Sequence, residues 1–291
     1  MLGKLLSCDF KAFGRVMLPL QGGVLLAGIA GCFMVNFSYK SISNSLSSSY
    51  YSSSSQAVLP LEEMLNATMT MLSGLFFAVV FASFWVTLFL VARHFYKSFL
   101  KDEGYLAFTL PVTTNQHVLS KVIAGFIWVL INALILCFTI VLLTLVGFTD
   151  SGIFNREVLG YYGDLFRELS NAPGVVLIIQ AILLGILFVL CNVLQIYASL
   201  VVGATIARTH KVLAAIGIYI AFSFVMNTIM TFTSIGSSIV FEMSNYVMNS
   251  DYSWFYALQP VILPMLLFYV VVVVVFFILS KYLLKNRLNL D

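Results

Sequence analysis

The chain has 291 residues, of which 61% are hydrophobic and 9% charged, with a formal net charge of +3. About a quarter of an ordinary globular domain is charged, so a water-soluble protein is excluded. Six stretches, 16–39, 64–92, 122–149, 169–207, 212–241 and 252–280, contain no Asp, Glu, Lys or Arg, and each is longer than the roughly 20 apolar residues that cross a bilayer.

In chain order, residues 1–15 are amphipathic, with Leu6, Phe10, Phe13 and Met17 on one side and Lys4, Ser7, Lys11 and Arg15 on the other. This is the pattern of a helix lying in the membrane interface. The first span follows at about 16–38. In it Gly23, Ala27 and Gly31 repeat at four, a small-residue face that permits close approach within one chain or between two copies. Ile29-Ala30-Gly31-Cys32, preceded by Lys4, Lys11 and Arg15, resembles a lipoprotein signal. The apolar run nevertheless continues through Phe33, Met34 and Val35, as a retained span does. Cys32, Cys137 and Cys191 fall in separate spans and Cys8 outside them, so the cysteines read as small packing residues and not as a disulfide framework. Residues 40–62 read as a flexible outer loop, because ten of the fifteen residues from Ser41 to Ser55 are serine.

The second span, about 66–92, leads into a loop at 93–120 that is neither a tight turn nor a linker. Asp102 and Glu103 suit a helix N-terminus, Pro111 ends the short helix at Leu110, and Thr113 to Gln116 reads as a capping box opening the third span, about 121–147. Between them Tyr105, Leu106, Phe108 and Leu110 offer apolar and aromatic surface, which is either buried by the protein itself or presented to a partner. Beyond the third span, Val158, Leu159, Tyr162, Leu165, Phe166 and Leu169 recur at helical spacing opposite Glu157, Asp164, Arg167 and Glu168, the signature of a second surface-lying segment. Asn171-Ala172-Pro173 reads as an Asn cap with Pro just inside the fourth span, about 173–203.

The fourth span carries Asn192, Gln195 and Ser199 on one face; the fifth, about 212–235, carries Ser223, Asn227, Thr231 and Ser234 on another. Such uncharged stripes either bond helix to helix or line a substrate pathway. The sixth span is about 257–281. With both termini inside, twelve of the fifteen basic and four of the twelve acidic residues fall on the cytoplasmic side, a net +8. Three basic and eight acidic residues fall outside, a net −5, as the tendency of cytoplasmic loops to hold Lys and Arg requires. The modest net charge thus reflects topology and does not point to nucleic acid. The spans hold no ionisable residue of the kind that marks ion coupling or intramembrane catalysis, and His94, His117 and His210 read as loop residues. There is no H-E-x-x-H, no G-x-S-x-G and no Walker A loop. Neither an enzyme nor a self-sufficient ATPase is indicated, and the chain itself calls for no cofactor.

The order Asp102-Glu103-Gly104, short apolar helix, Leu110-Pro111-Val112, cap and Lys121 resembles the cytoplasmic loop of ABC-two permeases, the six-helix membrane subunits of type V ABC exporters. Asp9-Phe10-Lys11-Ala12 is similar to the interfacial helix of that family. The resemblance implies an all-α permease of six transmembrane helices in a bacterial plasma membrane, paired with a second permease subunit as a homo- or heterodimer. It also implies a separate subunit that binds ATP and magnesium and docks on Glu103, Tyr105, Leu106, Phe108 and Leu110. Export follows from the same resemblance, whereas the uncharged polar stripes and the abundant aromatic residues suggest an apolar or amphiphilic substrate, such as a peptide or lipid-like molecule. On that reading Asn192, Gln195, Ser199, Asn227, Thr231 and Ser234 line the path. The other class of function open to the sequence is a non-transporting immunity or scaffold subunit that uses the same loop to recruit a partner.

Overall fold

A computed structural model describes residues 2–51, 59–100, 114–147, 160, 163–164, 166–167, 169–207, 210–247 and 254–286. The described residues form six long helices: α1 (Leu2–Tyr51), α2 (Leu59–Leu100), α3 (Thr114–Gly147), α4 (Ala172–Ile206), α5 (Lys211–Val247) and α6 (Trp254–Asn286). Each contains a segment long and apolar enough to cross a membrane, so the chain is an all-α multi-pass membrane protein. Helices are the economical solution, because in hydrocarbon every backbone N–H and C=O must be satisfied within its own segment.

Several boundaries differ from those read off the sequence. The amphipathic start and the first span are one uninterrupted helix, and α1 continues through the serine-rich stretch to Tyr51. Serine costs a helix only a few tenths of a kcal/mol per residue, so a run of serines extends a helix already nucleated by an apolar span. Residues 52–58 lie outside the described part. Likewise α2 runs past Arg93 to Leu100, which makes the first quarter of the expected 93–120 loop helical and places His94 on a helix. The helix expected over Glu103 to Leu110 lies outside the described residues, as do Glu157, Val158, Leu159, Tyr162, Leu165 and Glu168 of the outer segment. Of the remainder of that segment, Phe166 is exposed. Asn171 does stand at the N-cap of α4 with Pro173 in the first turn, but its side chain makes no capping bond; the backbone N–H of Val175 closes the first turn on the Asn171 carbonyl at 3.0 Å.

The chain divides into two compact units, one of residues 12–87 and 131–165, the other of 1–11, 88–130 and 166–291. In the first, Val24, Val80 and Ile135 form a buried cluster, with Ala27 packed against it. Close approach there depends on glycine: a Cβ at Gly31 would stand 2.9 Å from Phe76 Cβ, and one at Gly28 would collide with the Thr139 side chain. Ala27 and Gly31 of the small-residue face are therefore used within the chain, whereas Gly23 has nothing near it. Cys32 is buried inside α1, its thiol directed at the Thr139 carbonyl at 3.7 Å. Asn132 donates to Ser83 Oγ at 3.2 Å, a polar tie between α2 and α3.

In the second unit α4 packs on both α5 and α6, and α5 on α6. Gln180 and Gln259 exchange reciprocal amide hydrogen bonds of 3.0 and 3.2 Å, which satisfies two polar side chains with each other. Rings of Phe222 and Phe276 meet at 5.3 Å, and Phe188 meets Tyr269 edge to face at 6.0 Å.

Candidate functional site

The chemically richest cluster lies in the second unit, where the start of α1 meets the end of α2 and the start of α3. Asp9 is only 7% exposed although it is a carboxylate near a helix start. It lies on the buried stripe that the four-residue spacing of Asp9, Phe13 and Met17 produces. Isolated, such a charge would cost several kcal/mol. It is compensated at both oxygens: Lys121 Nζ bonds Oδ1, and Ser120 Oγ donates to Oδ2 at 2.7 Å. His94 Nε2 lies 3.6 Å from Oδ1 and 3.4 Å from Lys121 Nζ. One carboxylate thus joins three helices.

The sequence places His94 and His117 in loops; in the structure both lie on helices, His94 on α2 and His117 on α3. Asp9, His94 and Lys121 stand on the helical extensions that flank the charge-free stretches 16–39, 64–92 and 122–149. The burial of Asp9 there is what the sequence reading missed. The signal was present in the sequence as a polar residue on an otherwise apolar four-residue stripe. What the sequence lacked was the partner, more than a hundred positions away.

A second layer fastens α4 to this cluster. Tyr197, 1% exposed, donates its hydroxyl to the Lys121 carbonyl at 3.1 Å and stacks on Phe95 with centroids 4.0 Å apart. Phe95 in turn touches Phe99 at 4.9 Å. Gly125 makes the hydroxyl bond possible. Its own N–H is the helical donor to the Lys121 carbonyl, and a Cβ there would stand 2.6 Å from the Tyr197 oxygen and 3.0 Å from Val91. We expect Gly125→Ala to expel the Tyr197 hydroxyl and to lower stability by about 1–3 kcal/mol despite the better helix propensity of alanine. Thermal unfolding of the detergent-solubilised protein measures this; Tyr197→Phe in the same background separates the lost bond from the steric clash.

From Tyr197 the contacts continue to α5, because Gln195, two residues earlier on α4, donates to Ser223 Oγ at 2.7 Å. Of the proposed pathway residues, Gln195 and Ser199 are buried, and Ser199 bonds the Ile196 carbonyl of its own helix. Asn192 is half-buried and bonds the Phe188 carbonyl at 2.8 Å. Asn227, Thr231 and Ser234 are exposed in the single chain; Asn227 bonds the Ser223 carbonyl and Thr231 the Asn227 carbonyl. A hydrogen bond therefore links the two stripes at Gln195 and Ser223. Glu103, Tyr105, Leu106, Phe108 and Leu110 lie outside the described residues.

Among the described residues no group of His, Cys, Asp and Glu could hold a metal ion. Phe10 closes the cluster from α1 by stacking on Trp128 of α3 at 5.0 Å. No family model, curated protein or solved structure matches the chain.

Proposed function

We propose that the chain is the membrane permease subunit of an ATP-driven ABC exporter, working as a homo- or heterodimer in a bacterial plasma membrane with both termini cytoplasmic. A separate ATP-binding subunit, which supplies ATP and magnesium chemistry, docks on the segment from Glu103 to Leu110. The substrate is apolar or amphiphilic, of the peptide or lipid-like class. The observation that carries this reading is the position of the Asp9–Lys121–His94 cluster. It fastens α1 to the end of α2 and the start of α3, the two elements that precede and follow residues 101–113 in the sequence, and Tyr197 and Gln195 continue the contact to α4 and α5. A pull or push on that segment meets a network of buried, directional bonds, and such packed elements shift as units.

The test is to co-express the chain with an adjacently encoded ATPase that carries a Walker A motif and no spans, then measure co-purification and transport together. Tyr105 and Phe108 act as buried aromatic anchors, each worth roughly 2 kcal/mol or more on truncation, so Phe108→Ala should weaken the complex more than tenfold. Glu103→Ala should disturb transmission more than docking. Full binding and full transport by Phe108→Ala would remove the loop as the coupling element.

A further inference from the structure

The outer face of α1 combines features that the function proposed above does not use. At about 100° per residue, Lys4, Lys11, Arg15, Leu18, Gly22 and Leu26 all fall within an arc of about 80°. Lys4, Lys11, Arg15, Leu18, Gly22 and Leu26 are all exposed, and Gly22 has nothing within 4 Å of where a Cβ would stand. Cations therefore sit at one end of the face, and an apolar strip with a glycine notch runs on from them along the charge-free part of α1. The one carboxylate in the first turns of α1, Asp9, lies on the opposite side, buried and bonded by Lys121 and Ser120. Its charge is consumed inside the protein, and the outward face of that end is cationic.

We infer that this face of α1 binds anionic phospholipid, the phosphate at Lys4, Lys11 and Arg15 and an acyl chain along Leu18, Gly22 and Leu26. Charge complementarity selects the occupant: an apolar strip alone is satisfied by any lipid, whereas clustered cations beside it favour anionic headgroups. Each cation contributes roughly fivefold to the preference for an anionic over a zwitterionic lipid.

The experiment titrates phosphatidylglycerol and phosphatidylcholine separately into the delipidated full-length protein and counts bound lipids by native mass spectrometry. Wild type should prefer phosphatidylglycerol by more than tenfold, and Lys4→Gln/Lys11→Gln/Arg15→Gln should lose that preference. Lys4→Arg/Lys11→Arg, which keeps the charge, and Lys281→Gln, an exposed cation on α6, should retain it. If the triple variant aggregates, Lys11→Gln alone should show a roughly fivefold loss. Inorganic phosphate should compete no better than chloride at equal ionic strength, which assigns the ligand to lipid and not to free phosphate. An unchanged preference in the triple variant, an equal loss of both lipids, or specific displacement by phosphate would each overturn the assignment. So would a triple variant that keeps its lipid preference but loses a co-purifying acidic protein.

Discussion

Lys121→Met should be the most damaging single substitution at the α1–α2–α3 junction, lowering stability by about 3–5 kcal/mol. The ammonium is the counter-charge to a carboxylate that is 7% exposed, and methionine keeps the volume while leaving that carboxylate buried and uncompensated. The gain from the pair itself is modest, since desolvating both ions offsets most of their attraction; the large cost appears when one ion is left alone. The distinguishing measurement is a double-mutant cycle. Asp9→Asn/Lys121→Met removes both charges and keeps the shapes, so it should recover much of the loss and give a coupling of about 1–3 kcal/mol. If Lys121→Met alone unfolds in detergent at the wild-type temperature, the carboxylate is not confined as described. If the double variant is no better than the single one, packing and not charge accounts for the effect.

Gly203→Ala is the second large effect, of about 3 kcal/mol, and its cause is steric. A Cβ at Gly203 would stand 2.6 Å from both the amide nitrogen and the Cα of Ala215, so α4 would meet the backbone of α5 and not a side chain that can swing away. The two helices are joined by the few residues between Ile206 and Lys211, and this short connection prevents them from separating at that end. Small residues at such a crossing let backbones approach where no apolar driving force distinguishes protein from lipid. Gly185→Ala on the same helix is the control. Nothing lies within 4 Å of that position, and alanine should raise stability by up to about 1 kcal/mol through helix propensity. Equal effects at Gly185 and Gly203, measured by thermal unfolding in one detergent, would show that propensity and not the crossing dominates.

These two positions also show how differently the sequence speaks about different parts of the protein. Six helices were legible because runs without charge, longer than a bilayer needs, admit no other soluble or spanning structure. The cationic side of α1 was legible from spacing alone, and Lys4, Lys11 and Arg15 are exposed as expected. The end of α1 was not, since serine is polar enough to suggest a loop yet costs a helix little. The stripe on α5 left its direction open for a related reason. Asn227 and Thr231 bond carbonyls of their own helix four residues back, so they can face outward without an unsatisfied group, and polarity did not oblige them to face inward.

The sequence by itself determined that this chain spans a membrane with six helices, because transfer of apolar and charged groups between water and hydrocarbon is a property of each residue and sums along the chain. Only the tertiary structure decided that Asp9 is buried, that Lys121 and Ser120 bond it, that Gly125 admits the Tyr197 hydroxyl and that Gln195 reaches Ser223. Each of those facts is a distance between residues on different helices, and it depends on how the helices are rotated and how closely they pack. Helical periodicity assigns a residue to a face, but it does not say which neighbouring helix, if any, that face will meet.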